Sequence, residues 1–383
     1  MKYLYFLIIS ALVLFACQKD ATKDLDKVEP PAPEYITTSL QGKVLDENHN
    51  PVEGSAVKFG KSTTTTNNQG VFRFDGVDID IHTCFVRVSK PGYFNGFRTF
   101  IASEGILNFV QLELLPKRSA GQFQASSGGT VAIPEGGSVT FTDGGIVRAS
   151  DNAVYTGNVY VSAHIIDPTS PSIQDIMPGN MIGINAAGKE RGLESFGMVG
   201  VELTGDGGEQ LQLAPGKPAT LTLGIPASLV AGAPAAIPLW YFDKTRGVWK
   251  EEGTAKKQGS CYVGKVNHFS FWNCDVPSNV VKFEASVKTT SGNPLANVCV
   301  LIKDLSSSAS GAGNTDSTGK TAGFIPINKS LSVIIYDKCS NVLYTGSVGP
   351  FSQNINLGNI IVTIPGSKTD SLSGRVINCI EKT

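Results

Sequence analysis

What most constrains this chain is a period of two. Where its apolar residues are regular they alternate singly, in short runs that Gly, Asn, Asp or Pro interrupts. Residues 158–166 (NVYVSAHII), 198–203 (MVGVEL) and 220–225 (TLTLGI) are examples. Beyond the first twenty residues no stretch keeps the three-and-four spacing of an amphipathic helix. Successive strand side chains point to opposite faces, so each such run buries one face and needs a second sheet to cover it. The expected fold is therefore all-β, as tandem β-sandwich modules. Composition agrees: 17% charged residues and 42 glycines suit turns better than helices. A chain of 383 residues has room for about two or three domains. Its formal net charge of −1 offers no electrostatic basis for nucleic acid as a partner.

The N-terminus reads as targeting rather than fold. Lys2 precedes an apolar run from Tyr3 to Ala16, too short to span a bilayer but suited to a signal-peptide core. The run ends Leu14, Phe15, Ala16, Cys17, which resembles the lipobox of bacterial lipoproteins, although Phe15 is bulkier than usual there. The resemblance implies a signal peptide over residues 1–17, a lipid on Cys17 and the membrane as a partner through that anchor. An ordinary signal peptide with an incidental cysteine is the alternative. Residues 18–36, polar and carrying Pro30, Pro31 and Pro33, cannot bury a core and are expected to be a disordered, flexible tether. Gln18-Lys19-Asp20 are similar to the export signals of Bacteroidetes surface lipoproteins. The implied location is the cell envelope, on the outer membrane, facing either the periplasm or the outside.

Three modules follow. Residues 37–116 contain LQGKVLD (40–46), a Pro51-Val52-x-Gly54 turn, threonines 63–66, Asn68-x-Gly70-x-Phe72 and Lys90-x-Gly92-Tyr93. In that order they resemble the carboxypeptidase regulatory-like domain, which implies a small transthyretin-like sandwich without a catalytic centre. Residues 121–276 hold strands too dense for intervening helices. Met177-Pro178-Gly179, Glu194 to Gly197, and the stretch from Trp240 to Trp272 resemble the extracellular module of cartilage intermediate layer proteins. Residues 281–365 echo the first module, with a strand, an Asn293-Pro294 turn, a second strand, then Thr315-Asp316-x-x-Gly319 before Phe324. They are expected to form a second, divergent regulatory-like sandwich. Residues 366–383 read as a linker and the start of a further repeat (LSGRVINC, 372–379). A lone first strand cannot bury its face, which implies a sequence stopping inside that repeat or a disordered remnant.

The densest candidate chemistry lies between Ile237 and Asp275, which holds Trp240, Trp249, Trp272, Cys261, Cys274 and His268. The tryptophans could stack on sugar rings or fill a core. His268-Phe269-Ser270 resembles the self-cleavage stretch of adhesion receptors and of nucleoporin and death-domain proteins. That resemblance implies His268 as general base and Ser270 as nucleophile on the Phe269 carbonyl. The bland alternative makes His268 and Ser270 same-face neighbours on a strand. Cys299 and Cys339 flank apolar strands and either pair or remain two buried thiols. Cys261 and Cys274 are a weaker pair, because one extended strand between them would hold them far apart.

Two stretches imitate known loops and fail on spacing. Asp46 to Asn50 opens like a calcium loop, but Pro51 and Val57 occupy the positions that need Gly and Glu. Gly313 to Thr321 approaches a phosphate loop, with five residues between its glycines instead of four. No cysteine spacing suggests zinc, and no cofactor or metal is implied. Three readings remain: a non-enzymatic envelope lipoprotein for adhesion, scaffolding or binding of a protein or glycan ligand; the same protein with one cleavage at Phe269–Ser270; or a glycan-binding accessory of a polysaccharide-uptake system.

Overall fold

The computed structural model describes residues 32–134 and 136–364. Cys17, the signal-like segment, most of the expected tether, Cys379 and the repeat-like stretch at 372–379 lie outside the described residues.

The first module has seven strands: β1 (Tyr35–Leu45), β2 (Ala56–Phe59), β3 (Ser62–Thr65), β4 (Val71–Asp80), β5 (Phe85–Ser89), β6 (Gly96–Thr99) and β7 (Leu107–Glu113). One sheet runs β4-β1-β7 and the other β3-β2-β5-β6. Alternation does the work here: Leu40, Val44, Val57, Phe59, Phe72, Val86 and Leu112 turn inward and form one core between the sheets. All pairings are antiparallel except β1 with β7, which run parallel. The calcium-like stretch is a turn. Asp46 Oδ1 accepts from the Asn48 and Asn50 amides at 2.9 and 2.8 Å, and His49 takes φ +60°.

The middle module continues with β8 (Arg118–Gln124), β9 (Gly129–Ala132), β10 (Gly137–Phe141), β11 (Ile146–Arg148) and β12 (Asn158–Ile166). A single helical turn, α1 (Ile173–Ile176), interrupts it. Then come β13 (Ile182–Ile184), β14 (Glu190–Thr204), β15 (Gln210–Leu213), β16 (Ala219–Gly224), β17 (Ala236–Asp243), β18 (Val248–Gln258), β19 (Cys261–Val266) and β20 (Phe271–Ser278). These thirteen strands form one hydrogen-bonded sheet rather than two. It folds over a single core, in which Phe123 of β8 stacks on Phe141 of β10 at 4.2 Å.

The third module comprises β21 (Val280–Thr289), β22 (Cys299–Asp304), β23 (Ser310–Asn314), β24 (Lys320–Pro326), β25 (Leu331–Tyr336), β26 (Val342–Val348) and β27 (Ile355–Val362). Its sheets, β24-β21-β27 and β23-β22-β25-β26, repeat those of the first module strand for strand, including the parallel pair β21–β27. The echo extends to single atoms. Thr66 Oγ1 accepts from the Ser55 amide and donates to the Val52 carbonyl; Thr315 Oγ1 does the same with Val298 and Leu295. Gly70 and Gly319 close the following turn at φ +70° and +77°, where an added Cβ would strike the Val44 or Val287 carbonyl oxygen. The phosphate-loop-like glycine is therefore part of a tight turn that carries the chain from one sheet to the other.

Candidate functional site

The stretch from Ile237 to Asp275 folds into β17 to β20, and its tryptophans point inward. All three are 0% exposed. Trp272 lies in the core of the middle module, its Nε1 donating to the His268 carbonyl at 3.0 Å. Trp240 and Trp249 belong to a different cluster, which joins two modules. Phe94, Phe97 and Leu115 from the first module's side meet Met177, Met198, Trp240, Phe242, Trp249 and Phe271 from the middle one. Phe97 and Phe242 lie with ring centroids 4.9 Å apart. This corrects the ligand-facing reading of the tryptophans: rings without exposed surface cannot stack on a sugar.

The segment 268–270 is a bend before β20, not part of a strand, and the two polar side chains diverge. His268 packs against Tyr241 and Trp272, with Nε2 3.7 Å from Glu252. Burial holds its imidazole below the ordinary histidine range, with Glu252 opposing that shift. Ser270 Oγ donates instead toward the Phe242 and Phe271 carbonyls, at 3.0 and 3.2 Å. Gln212 clamps the intervening residue: its Oε1 accepts from the Phe269 amide at 2.6 Å and its Nε2 donates to the Phe269 carbonyl at 3.1 Å. No hydrogen bond joins His268 to Ser270 among the described residues, and none of residues 268–270 has a left-handed backbone. The structure does not bring the expected base and nucleophile together, and it makes them no same-face strand pair either.

Cys299 and Cys339 do not pair. Both are free thiols, as are Cys84, Cys261 and Cys274. Cys299 sits opposite Tyr336 in the β22–β25 ladder, whereas Cys339 lies in the exposed turn after β25, where the Asp337 carboxylate organises the backbone. Cys261 and Cys274 are on β19 and β20, with β18 and β17 between them in the sheet.

Cys299 marks instead a place where all three modules converge. Burial pushes its thiol up to about 11, Asp175 adding to the shift. Asp175 belongs to α1. It accepts from Gln111 of β7 at 2.8 Å and lies 3.8 Å from Nη2 of Arg98 on β6. Arg98 is buried, its Nη1 donates to the Gly179 carbonyl, and Nη2 has no hydrogen-bond partner. Burial lowers its basicity and Asp175 counters that; a guanidinium stays charged through such a shift. From the same turn Gln174 reaches the third module, accepting from the Ala312 amide and donating to Ser310. Ser317 of the third module donates its amide to the Leu107 carbonyl of the first at 2.9 Å. Ser308 donates to Glu194 through amide and hydroxyl.

A polar chain runs behind that seam. Ser195 Oγ donates to Asn273 Oδ1 at 2.6 Å, and Asn273 Nδ2 donates to Asp275 Oδ2 at 2.6 Å. Asp275 is fully buried, its Oδ1 unpartnered, and burial raises its carboxyl well above the usual carboxylate range. A cavity of about 20 Å³ beside Ser195, lined also by Gln174 and Ser308, has the volume of roughly one water molecule. Among the described residues no three His, Cys, Asp or Glu side chains converge on a metal-sized position. Also among them, no helix is long and apolar enough to cross a membrane.

No role for Arg98, Gln174 or Asp175 was legible in the sequence, and Cys299 stood out only as a partner of Cys339 or a buried thiol. The available signal was an arginine among the phenylalanines at 94, 97 and 100, where burial requires a partner.

No family model matches the chain, and no curated protein matches it. Solved structures with some likeness include the Bacillus anthracis TIE protein, at 14% identity over 86% of this chain and 50% of that one, with a TM-score of 0.19. This chain thus corresponds to half the length of that protein. The major pilin subunit BcpA of Bacillus cereus aligns at 9% identity over 86% of this chain and 99% of its own, with a TM-score of 0.17. The shaft pilin spaA from Lactobacillus rhamnosus GG aligns at 8% over 88% and 100%, with a TM-score of 0.19. At such scores the likenesses carry no argument, and the architecture rests on this chain's own strand pairing.

Proposed function

We propose that this chain is a non-enzymatic cell-envelope lipoprotein. It is anchored through Cys17 to the outer membrane and presents its β-sandwich modules as one stiff body for adhesion or scaffolding. The first and third modules act as regulatory-like, transthyretin-like sandwiches, and the middle one as a counterpart of the cartilage intermediate layer module. The observation that supports this is the junction at α1. One helical turn hydrogen-bonds to the first module through Asp175 and to the third through Gln174, while Phe97 and Trp249 share an apolar seam. The three tryptophans are spent in that seam or in a core, with no face left for a sugar.

Metabolic labelling with a fatty acid analogue tests the anchor. Label is expected on the wild type and should vanish with Cys17→Ala, which should also release the protein from the membrane fraction. Label on the alanine variant at the wild-type level would sink the reading. On a denaturing gel the mature protein should run as one full-length band, and a fragment beginning at Ser270 would restore self-cleavage.

A further inference from the structure

The registers of the two small sandwiches can be superposed position by position. Val57 faces Val88 in the first and Val300 faces Ile335 in the third. One strand further, Arg87 faces Phe97 and Ile334 faces Thr345, so β26 is the counterpart of β6 and Thr345 stands where Phe97 stands. The outer edge of β6 is taken up within the chain. The Gly179 amide donates to the Phe97 carbonyl at 3.0 Å and the Thr99 amide to the Gly179 carbonyl at 3.4 Å, which adds a piece of the middle module to the sheet. Among the described residues, β26 pairs with β25 alone. Other edges of these sandwiches are guarded. β3 has only four residues, β4 carries Arg73, Asp75, Asp78 and Asp80, and β23 gives its Ala312 amide to Gln174. By contrast β26 (VLYTGSV) has seven residues, with no charge and no proline. Beside it, toward β27, opens an apolar groove of about 230 Å³, lined by Val333, Tyr344, Val348, Leu357, Ile360 and Ile361.

An unpaired, unguarded edge is a template for one more strand. An uncharged edge can take its own copy, because no like charges are brought face to face. The pairing of β26 with β25 is regular from Tyr344 to Val348 and shifts only before Tyr344. A two-fold axis at Gly346, the centre of that regular stretch, sets Tyr344 of each copy opposite Val348 of the other, and Thr345 opposite Ser347. Tyr344 and Val348 both line the groove, so the inner face gains an aromatic–β-branched pair on either side of the axis, a favourable cross-strand combination. Thr345 and Ser347 are exposed, small and neutral, and they stay in water on the outer face. The strand is complementary to itself on both faces.

We propose that β26 pairs antiparallel with β26 of a second copy of this chain, joining two sheets into one across the axis and closing each groove against the other molecule. The pairing does not depend on a lipid anchor, so the chain from Gln18 to Thr383, which carries no lipid, tests it by sedimentation over a concentration series. Its mass should rise to that of two chains with concentration. Thr345→Lys combined with Ser347→Lys should weaken association about tenfold or more, and so should Thr345→Glu combined with Ser347→Glu, since like charges then stand opposite one another. An equimolar mixture of the two variants should recover the parent's association. The mass of one chain throughout the series overturns the proposal; if a chain ending at Ile364 then dimerises, residues 365–383 hold the edge instead. Unchanged association in both charged variants places the contact elsewhere and overturns it too. So does a mixture that stays dissociated although each variant melts like the parent.

Discussion

The first and third modules share seven strands, one connectivity and one threonine-centred turn, yet they meet their surroundings differently. On β6 the first module presents Phe97, 1% exposed, to a neighbour's aromatic rings. At the same register position on β26 the third presents Thr345 to water. The difference separates two kinds of information. Turn chemistry and inward alternation set the sandwich, and they survive divergence because every copy needs them. A single outward position on an edge strand decides whether that copy docks on a neighbour. The following changes test that division, beginning with the largest expected effect.

Phe97→Ala should cost about 3–5 kcal/mol, the usual range for removing a fully buried aromatic ring. Because the ring lies between modules, part of the loss should appear as earlier unfolding of the first module. Differential scanning calorimetry on the full described length checks this. One unsplit transition, shifted by less than a degree, would mean the seam contributes little.

Thr66→Val and Thr315→Val keep side-chain shape while removing a hydroxyl that both accepts and donates. Each leaves a buried amide and carbonyl short of a partner, a loss of about 1–3 kcal/mol. The two values should agree within the error of a denaturant titration, because the geometry is the same. A large cost in one module with none in the other would break the equivalence drawn between them.

Gly70→Ala and Gly319→Ala place a Cβ in the left-handed region against a backbone oxygen, and each should cost about 1–2 kcal/mol. Here the sequence was most legible. Asn68-x-Gly70-x-Phe72 and Thr315-Asp316-x-x-Gly319 predict turn, strand and repeat from chemistry local to each segment. The same holds for the inward faces: the period-two runs at 158–166, 198–203 and 220–225 bury Val159, Val161, Val199, Val201, Leu221 and Leu223. The junction was not legible. Whether Phe97 or Trp249 fills its own module's core or a shared seam depends on which surfaces later meet, and alternation looks the same in both cases. The unpaired Cys299 was obscure for a related reason: what it faces, Arg98 and Asp175, lies in two other modules. His268 and Ser270 misled because their spacing was read as a strand, whereas β19 ends at Val266 and β20 begins only at Phe271.

The seam between the middle and third modules should respond to pH through Asp275. Burial raises its folded carboxyl above the unfolded value, so the folded state holds a proton that the unfolded state releases. Stability from this group is therefore present at low pH and falls as pH rises from the ordinary carboxylate range toward the folded value. Asp275→Asn, which keeps the shape and cannot ionise, should flatten that slope and raise Tm at neutral pH relative to wild type. Melting curves across pH 4 to 8 check this, and parallel curves for the two proteins would show that Asp275 is ionised at no cost.

The smallest effect belongs to Thr345→Ala. If docking is decided at this register position, its side chain in the third module touches no neighbour, and the change should fall within about 0.5 kcal/mol, the usual range for a surface site. The comparison with Phe97 is then a contrast of roughly 3 kcal/mol or more between equivalent positions in one repeated fold. Denaturant titration of both single variants and of the double variant measures it, and the two costs should add, since the sites lie in different modules. A loss above about 1 kcal/mol for Thr345→Ala would mean that the outer face of β26 is covered too. Non-additivity would mean that the two modules are coupled through α1 more tightly than separate seams imply.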